Sequence, residues 1–151
     1  MRALLQRVRS AEVTTGGKTT GKIGSGLLVY VAVAADDSRC DAERLAEKVA
    51  NLRIFADDAG KLNRSVLDEG GQVLVISNFT LLADARKGRR PAFAAAASGG
   101  AAEPLHEAFL HHLNQQGCRV ETGAFGAHME INSLADGPVN VIVDFPPATR
   151  S

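Results

Sequence analysis

The run GLLVYVAVA, from Gly26 to Ala34, constrains this chain more than any other stretch. Apart from Tyr30 it holds no polar side chain at any position, and valine recurs through it. A strand of that kind is buried on both faces, as in the middle of a covered parallel sheet. The run QVLVISNFTL, starting at Gln72, has the same character. Between the two lies DDSRCDAERLAEKVANLRIF, in which Ser38 and Asp41 have capping-box spacing. Leu45, Val49 and Leu52 then repeat at helical intervals. Strand, helix and strand in this order describe a parallel crossover.

The flanking segments extend the pattern. RALLQRVRSAEVTT alternates as a strand, kinks near Ser10, and continues as a second strand to the turn at TGGK. Residues 56–71 are rich in Asp and Gly and read as a loop or short hairpin, and residues 84–101 read as a loop. A second helix is expected from Glu103 to Gln116, with Leu105, Phe109 and Leu113 on one stripe and Gly117 as its stop. CRVETG, AHMEINSL and PVNVIVDF follow as three strands set apart by Gly123, Gly126 and Gly137. The expected fold is one α/β domain over residues 1–151, with two crossover helices against a mixed sheet and three C-terminal strands.

Composition narrows the function. Lys plus Arg and Asp plus Glu number 17 each, so any contact with a polyanion must come from a local patch. No apolar run reaches membrane-spanning length, and MRALLQRVRS is too short and too charged for a secretory signal. Cys40 and Cys118 stand far apart without metal-ligand spacing, which suggests reduced thiols in a cytoplasmic protein with no structural metal. P-loop and dinucleotide-binding glycine patterns are missing, and the GSG at 24–26 precedes a strand rather than forming a nucleophile elbow.

Three features could carry chemistry. Ser77, Asn78 and Thr80 end an apolar strand, where α/β folds place their ligands; the same hydroxyls could instead satisfy the turn backbone. The arm RKGRRP carries Arg86, Lys87, Arg89 and Arg90, either as phosphate ligands or as a solvated loop. Gly137-Pro138, ahead of the last apolar run, is a plain turn or a rigid corner with carbonyls facing a ligand.

Taken together, MRALLQRV, NLRIF, SNFTLLADARKGRRP, VETGAFGAHM and NSLADGPVN occur in the order and spacing of the D-aminoacyl-tRNA deacylases, which this chain resembles over its whole length. The resemblance implies a three-layer α/β/β fold and hydrolysis of the ester joining a D-amino acid to the 3′-terminal adenosine of tRNA. Glycine carried on a wrong tRNA is a second substrate by the same resemblance. It also implies a homodimer whose active site lies at the subunit interface, with the cis Gly-Pro corner of one subunit entering the site of the other. No cofactor is expected.

By the resemblance, Ser77, Asn78, Phe79 and Thr80 form the catalytic wall, with backbone N–H groups near Phe79 and Thr80 receiving the oxyanion. Thr80 stands where the family threonine was assigned as nucleophile. Nothing in the sequence places a base beside it, so water activated with help from the 2′-OH of the terminal ribose is the favoured route. Gly137 and Pro138 would hold the amino group and Cα, and an L side chain would clash with backbone. Arg7 would brace that corner, Phe79 and Met129 would line the adenosine or ester pocket, and Arg86, Lys87, Arg89 and Arg90 would meet acceptor-end phosphates. Two positions depart from the family pattern: Asn78 replaces the usual glutamine and Asn140 the usual threonine. Two other functions stay open: an editing deacylase with a trans corner that removes a small L-amino acid such as alanine, and a non-catalytic module binding the tRNA 3′ end.

Overall fold

In the computed structural model, which describes residues 1–146, the chain runs β1 (Arg2–Thr15), β2 (Lys18–Ile23), β3 (Gly26–Ala32), α1 (Arg39–Asn51), β4 (Phe55–Ala56), β5 (Leu62–Arg64) and β6 (Gln72–Ser77). A 3-10 turn (Phe79–Leu82), α2 (Gly99–Gln115), β7 (Arg119–Thr122) and β8 (Glu130–Asp144) complete it. β3, β6 and β7 are parallel neighbours, and β1 runs antiparallel to β3. The two crossovers enclose α1 and α2 as the strand–helix order requires.

The doubly apolar runs are explained by two cores. Leu27, Val29 and Val31 of β3, with Val73 and Val75 of β6, point toward Leu45 and Val49 of α1 and Phe109 and Leu113 of α2. Their alternate neighbours Leu28, Leu74 and Ile76 face Val8 and Val13 of β1 and Ile23 of β2. With period two, each face of a central strand meets a different layer. The layers are therefore helices, parallel sheet, and a folded-over antiparallel flap. Gly21 marks how closely the flap lies: a Cβ there would stand 2.8 Å from the Thr122 carbonyl oxygen.

Ser38 caps α1 as its spacing requires, with its Oγ and backbone N–H each bonded to the Asp41 carboxylate. Residues 56–71 contain the β4–β5 hairpin, whose turn is closed by Asp57 Oδ1 accepting from the Ala59 and Lys61 N–H groups.

Several boundaries differ from the sequence expectation. The N-terminal segment is one long strand, not two. Its kink survives as a change of partner: β1 pairs β3 up to Val8 and β2 from Ala11 onward, and Arg9 is bulged against β8. β2 itself was hidden by its threonines and lysines, since its outer face is solvated. The residues after Ser77 form a turn rather than continuing the strand. α2 starts at Gly99, ahead of Pro104, and buries His106, Phe109 and Leu113 rather than a stripe led by Leu105. AHMEINSL and PVNVIVDF are not two strands: β8 pairs β1 on both sides of the Gly137-Pro138 corner. Gln6 pairs Asn140 and Val8 pairs Ala135, so four residues, 136–139, bulge out opposite Arg7 alone.

Candidate functional site

The site begins where β6 stops pairing. The Asn78 N–H still donates to the Val31 carbonyl oxygen at 2.8 Å, and the chain then coils into the Phe79–Leu82 turn. In a turn with bonds from residue i+3 to i, the first N–H groups have no carbonyl to meet. Here those groups belong to Phe79 and Thr80, whereas Leu81 and Ala83 donate to Asn78 and Thr80. The Thr80 hydroxyl donates to Asn78 Oδ1, so the shorter amide that departs from the family glutamine is turned onto the threonine. An amide oxygen orients a hydroxyl but is no base for it. Arg2 holds the turn from behind: its Nη1 donates to the Leu81 carbonyl oxygen at 3.2 Å, and its Nε to Asp144 at 2.7 Å.

In front of this wall lies a cavity of about 680 Å³. Its floor is the end of β3 and β6, its sides are α2 at Ala102 and His106, and its far rim is the segment after β7, with Phe125 and Met129. Gly123 lets that rim close: a Cβ there would stand 2.5 Å from the Met129 sulfur. Phe125 and the His106 ring are 5.5 Å apart, tilted by 50°. Phe79 is 56% exposed at the mouth and meets Phe93 edge to face at 5.2 Å. The alanine-rich stretch of the preceding loop is tied to the same end of β3, with the Ala97 N–H donating to the Val33 carbonyl oxygen at 2.9 Å. Small side chains allow that close backbone approach.

Ser77, Asn78, Phe79, Thr80 and Met129 thus line one cavity, while Arg7, Gly137 and Pro138 do not. Strand register explains the separation. Ser77 is level with Val31 and Ala3, whereas Arg7 is level with Leu27, four residues along the sheet, or about 13 Å. Arg7 is largely buried there. Its Nε donates to the Asp136 carbonyl oxygen at 3.1 Å and its Nη1 to that of Ile54 at 2.9 Å, and the Asp136 carboxylate is 3.4 Å away. The Gly137-Pro138 bond is cis and both residues are exposed.

The basic arm is less uniform than its sequence. Arg86 forms a bidentate pair with Asp84, at 2.9 and 2.7 Å, which holds the Asp84 carboxyl down at about 2. The Asp84–Ala92 bridge closes the loop. No ion pair within 4.0 Å engages Lys87, Arg89 or Arg90 among the described residues.

Sequence reasoning missed Tyr30, His106, Phe125 and His128, which also border the cavity. For Phe125 a signal existed, an aromatic residue between glycines in GAFG. For His106 the signal was its i, i+3, i+7 spacing with Phe109 and Leu113.

Fold and site together define a mixed-sheet α/β protein with an aromatic-lined cleft at its strand ends, walled by a hydroxyl and unpaired backbone donors. The family model described as D-Tyr-tRNA(Tyr) deacylase matches residues 4–144, and the chain belongs to that family. It is 51% identical over 144 residues to a D-aminoacyl-tRNA deacylase of Brevibacillus brevis, covering 95% of this chain and 99% of that one. A D-aminoacyl-tRNA deacylase of Caldicellulosiruptor bescii is 54% identical over the same length, covering 95% and 97%. A solved structure titled c-Myc DNA Unwinding Element Binding Protein superposes with a TM-score of 0.90 at 35% identity, covering 97% of this chain and 99% of that one. A structure titled as a probable eukaryotic D-amino acid tRNA deacylase shares the fold at TM-score 0.85 and 16% identity, covering 95% and 98%.

Proposed function

We propose that this protein hydrolyses the ester between a D-amino acid, or misplaced glycine, and the 3′-terminal adenosine of tRNA. The products are free tRNA and the amino acid, so the reaction proofreads chirality for translation in the cytoplasm. The observation that carries this reading is the cavity walled by Ser77–Thr80, in a chain that belongs to the deacylase family.

The Phe79 and Thr80 N–H groups support the chemical step, since both lack a carbonyl partner in their turn. Water adds to the ester carbonyl carbon, and the carbonyl oxygen becomes an oxyanion that these donors receive. Such preorganised donors are worth about 10²–10³ in rate. The neighbouring 2′-OH of the ribose assists removal of the water proton. Collapse of the tetrahedral intermediate breaks the bond to the ribose 3′ oxygen, which leaves with a proton as the 3′-OH. Thr80 orients rather than attacks, because its hydroxyl is bound to an amide that cannot take its proton.

Selection against L-amino acids falls to Gly137 and Pro138, delivered by a second copy of the chain in a homodimer. Two observations support this reading: the corner is about 13 Å along the sheet from the wall of its own chain, and β8 has one open edge with Leu134 and Ile142 58% and 63% exposed. Arg7 braces the corner through Asp136. Lys87, Arg89 and Arg90 meet the acceptor phosphates, with Arg86 stiffening the loop against Asp84.

Deacylation of matched D- and L-aminoacyl-tRNAs tests the whole reading. D-Tyr-tRNA and glycyl-tRNA are hydrolysed and L-Tyr-tRNA is spared. Preferential removal of L-alanine would replace chiral proofreading with another editing reaction, and tight binding without hydrolysis would leave only a tRNA-end module.

A further inference from the structure

His106 is the one histidine the fold buries, at 4% exposure, and it sits on α2 facing the cavity. Its ring makes no hydrogen bond to any described residue. Thr15 Oγ1 is the only side-chain polar atom among the described residues that is both sealed and unpartnered, so the His106 nitrogens remain open to the cavity. Burial pushes the imidazole down to about 4, which keeps it neutral near pH 7 with one N–H donor and one acceptor nitrogen. A buried polar group left without a partner is costly, and a ligand that supplies one gains selectivity from it.

The surroundings specify the shape of that ligand. Phe125 stands beside the ring at 5.5 Å, and Tyr30, Ala102 and Met129 complete a largely apolar chamber. A flat group with apolar faces and a polar edge fits such a chamber, and an aliphatic acyl side chain has nothing to offer the imidazole. In an aminoacylated nucleoside placed with its ester against Phe79 and Thr80, the nucleobase is the flat group that every substrate carries, whatever its amino acid.

We infer that His106 is a specificity-determining residue whose imidazole hydrogen-bonds the polar edge of the terminal adenine while Phe125 packs on the base. Adenine presents the 6-amino donor on that edge, and the unprotonated nitrogen of a neutral imidazole accepts one hydrogen bond from it. This inference rests on the deacylase reading and assigns the base-reading element of the same site.

The probes are two non-hydrolysable 3′-amides of D-tyrosine, one on 3′-amino-3′-deoxyadenosine and one on the same purine riboside lacking the 6-amino group. The protein binds the adenosine probe about tenfold more tightly, the size of one good hydrogen bond. His106→Phe keeps the aromatic volume and binds both probes equally, at the weaker level. On D-Tyr-tRNA it raises KM about tenfold and changes kcat less. His106→Gln, with a donor and an acceptor, regains part of the preference and serves as the second variant if His106→Phe does not fold. A preference that persists in a folded variant overturns the assignment while the unaltered protein still hydrolyses D-Tyr-tRNA. Failure of the unaltered protein both to bind either probe and to hydrolyse D-Tyr-tRNA overturns the deacylase reading with it.

Discussion

At the scale of single residues, the site depends on what each polar group is bonded to. The Thr80 hydroxyl points at Asn78 Oδ1, so it is oriented but not activated. Thr80→Ala therefore keeps kcat within about tenfold of the parent, whereas tRNA ending in 2′-deoxyadenosine loses about 100-fold or more, the lower end of what general acid–base assistance provides. Single-turnover deacylation checks both, and complete loss in a folded Thr80→Ala variant would restore the nucleophile. His106 gives a second prediction, in stability. Its folded pKa lies below the unfolded value of 6.5, so the unfolded chain binds the proton more readily. The contribution of the neutral ring is complete above pH 6.5 and is lost as pH falls toward 4. Thermal melts between pH 7 and 4.5 will show a steeper fall in Tm for the parent than for His106→Phe. Equal slopes would mean that the ring titrates as though solvated.

Elements bring out constraints that no single residue shows. β3 and β6 lie so close at their start that a Cβ on Gly26 would stand 1.9 Å from the Gln72 carbonyl oxygen. Backbone cannot yield as a flexible side chain does, so Gly26→Ala destabilises the protein by about 3 kcal/mol or more. Denaturant titration measures it, and a loss below 1 kcal/mol would show that the strands can part at this end. The basic arm behaves as a unit of another kind, with one arginine committed to Asp84 and the other cations reaching outward. Replacing both Arg89 and Arg90 by Ala flattens the salt dependence of tRNA binding by a slope of about two. Replacing Arg86 changes the slope less, because its charge is already balanced. An unchanged slope in the double variant would take the arm out of the tRNA contact.

Over the whole molecule, the Ser77–Thr80 wall and the Gly137-Pro138 corner are set four residues apart along one sheet, which makes the proposed two-chain site testable by complementation. Ala102→Trp fills the cavity and Pro138→Ala alters the corner, so each variant on its own is inactive. Randomly mixed dimers are half hybrids with one intact site each, and recover about a quarter of parental activity if the corner acts on its partner. No recovery would place wall and corner in the same chain. Much of this architecture was legible in the sequence because its determinants are local. Continuous valine-rich apolar runs marked β3 and β6, helical spacing and the Ser38–Asp41 pattern marked α1, and Ser77, Asn78 and Thr80 stood out as polar residues closing an apolar run. What remained hidden depends on contacts between distant segments. β2 became a strand only by pairing with β1, AHMEINSL and PVNVIVDF became one strand only because β1 pairs with both, and His106 became a cavity residue only when the 124–129 segment closed over α2. The sequence alone determined the two central strands, the two helices between and after them, and which end of β6 is polar, since apolar runs, helical spacing and capping act over a few residues. Tertiary structure decided where the corner lies relative to the wall and which buried side chain is left unpartnered, because register and enclosure exist only once remote strands have met.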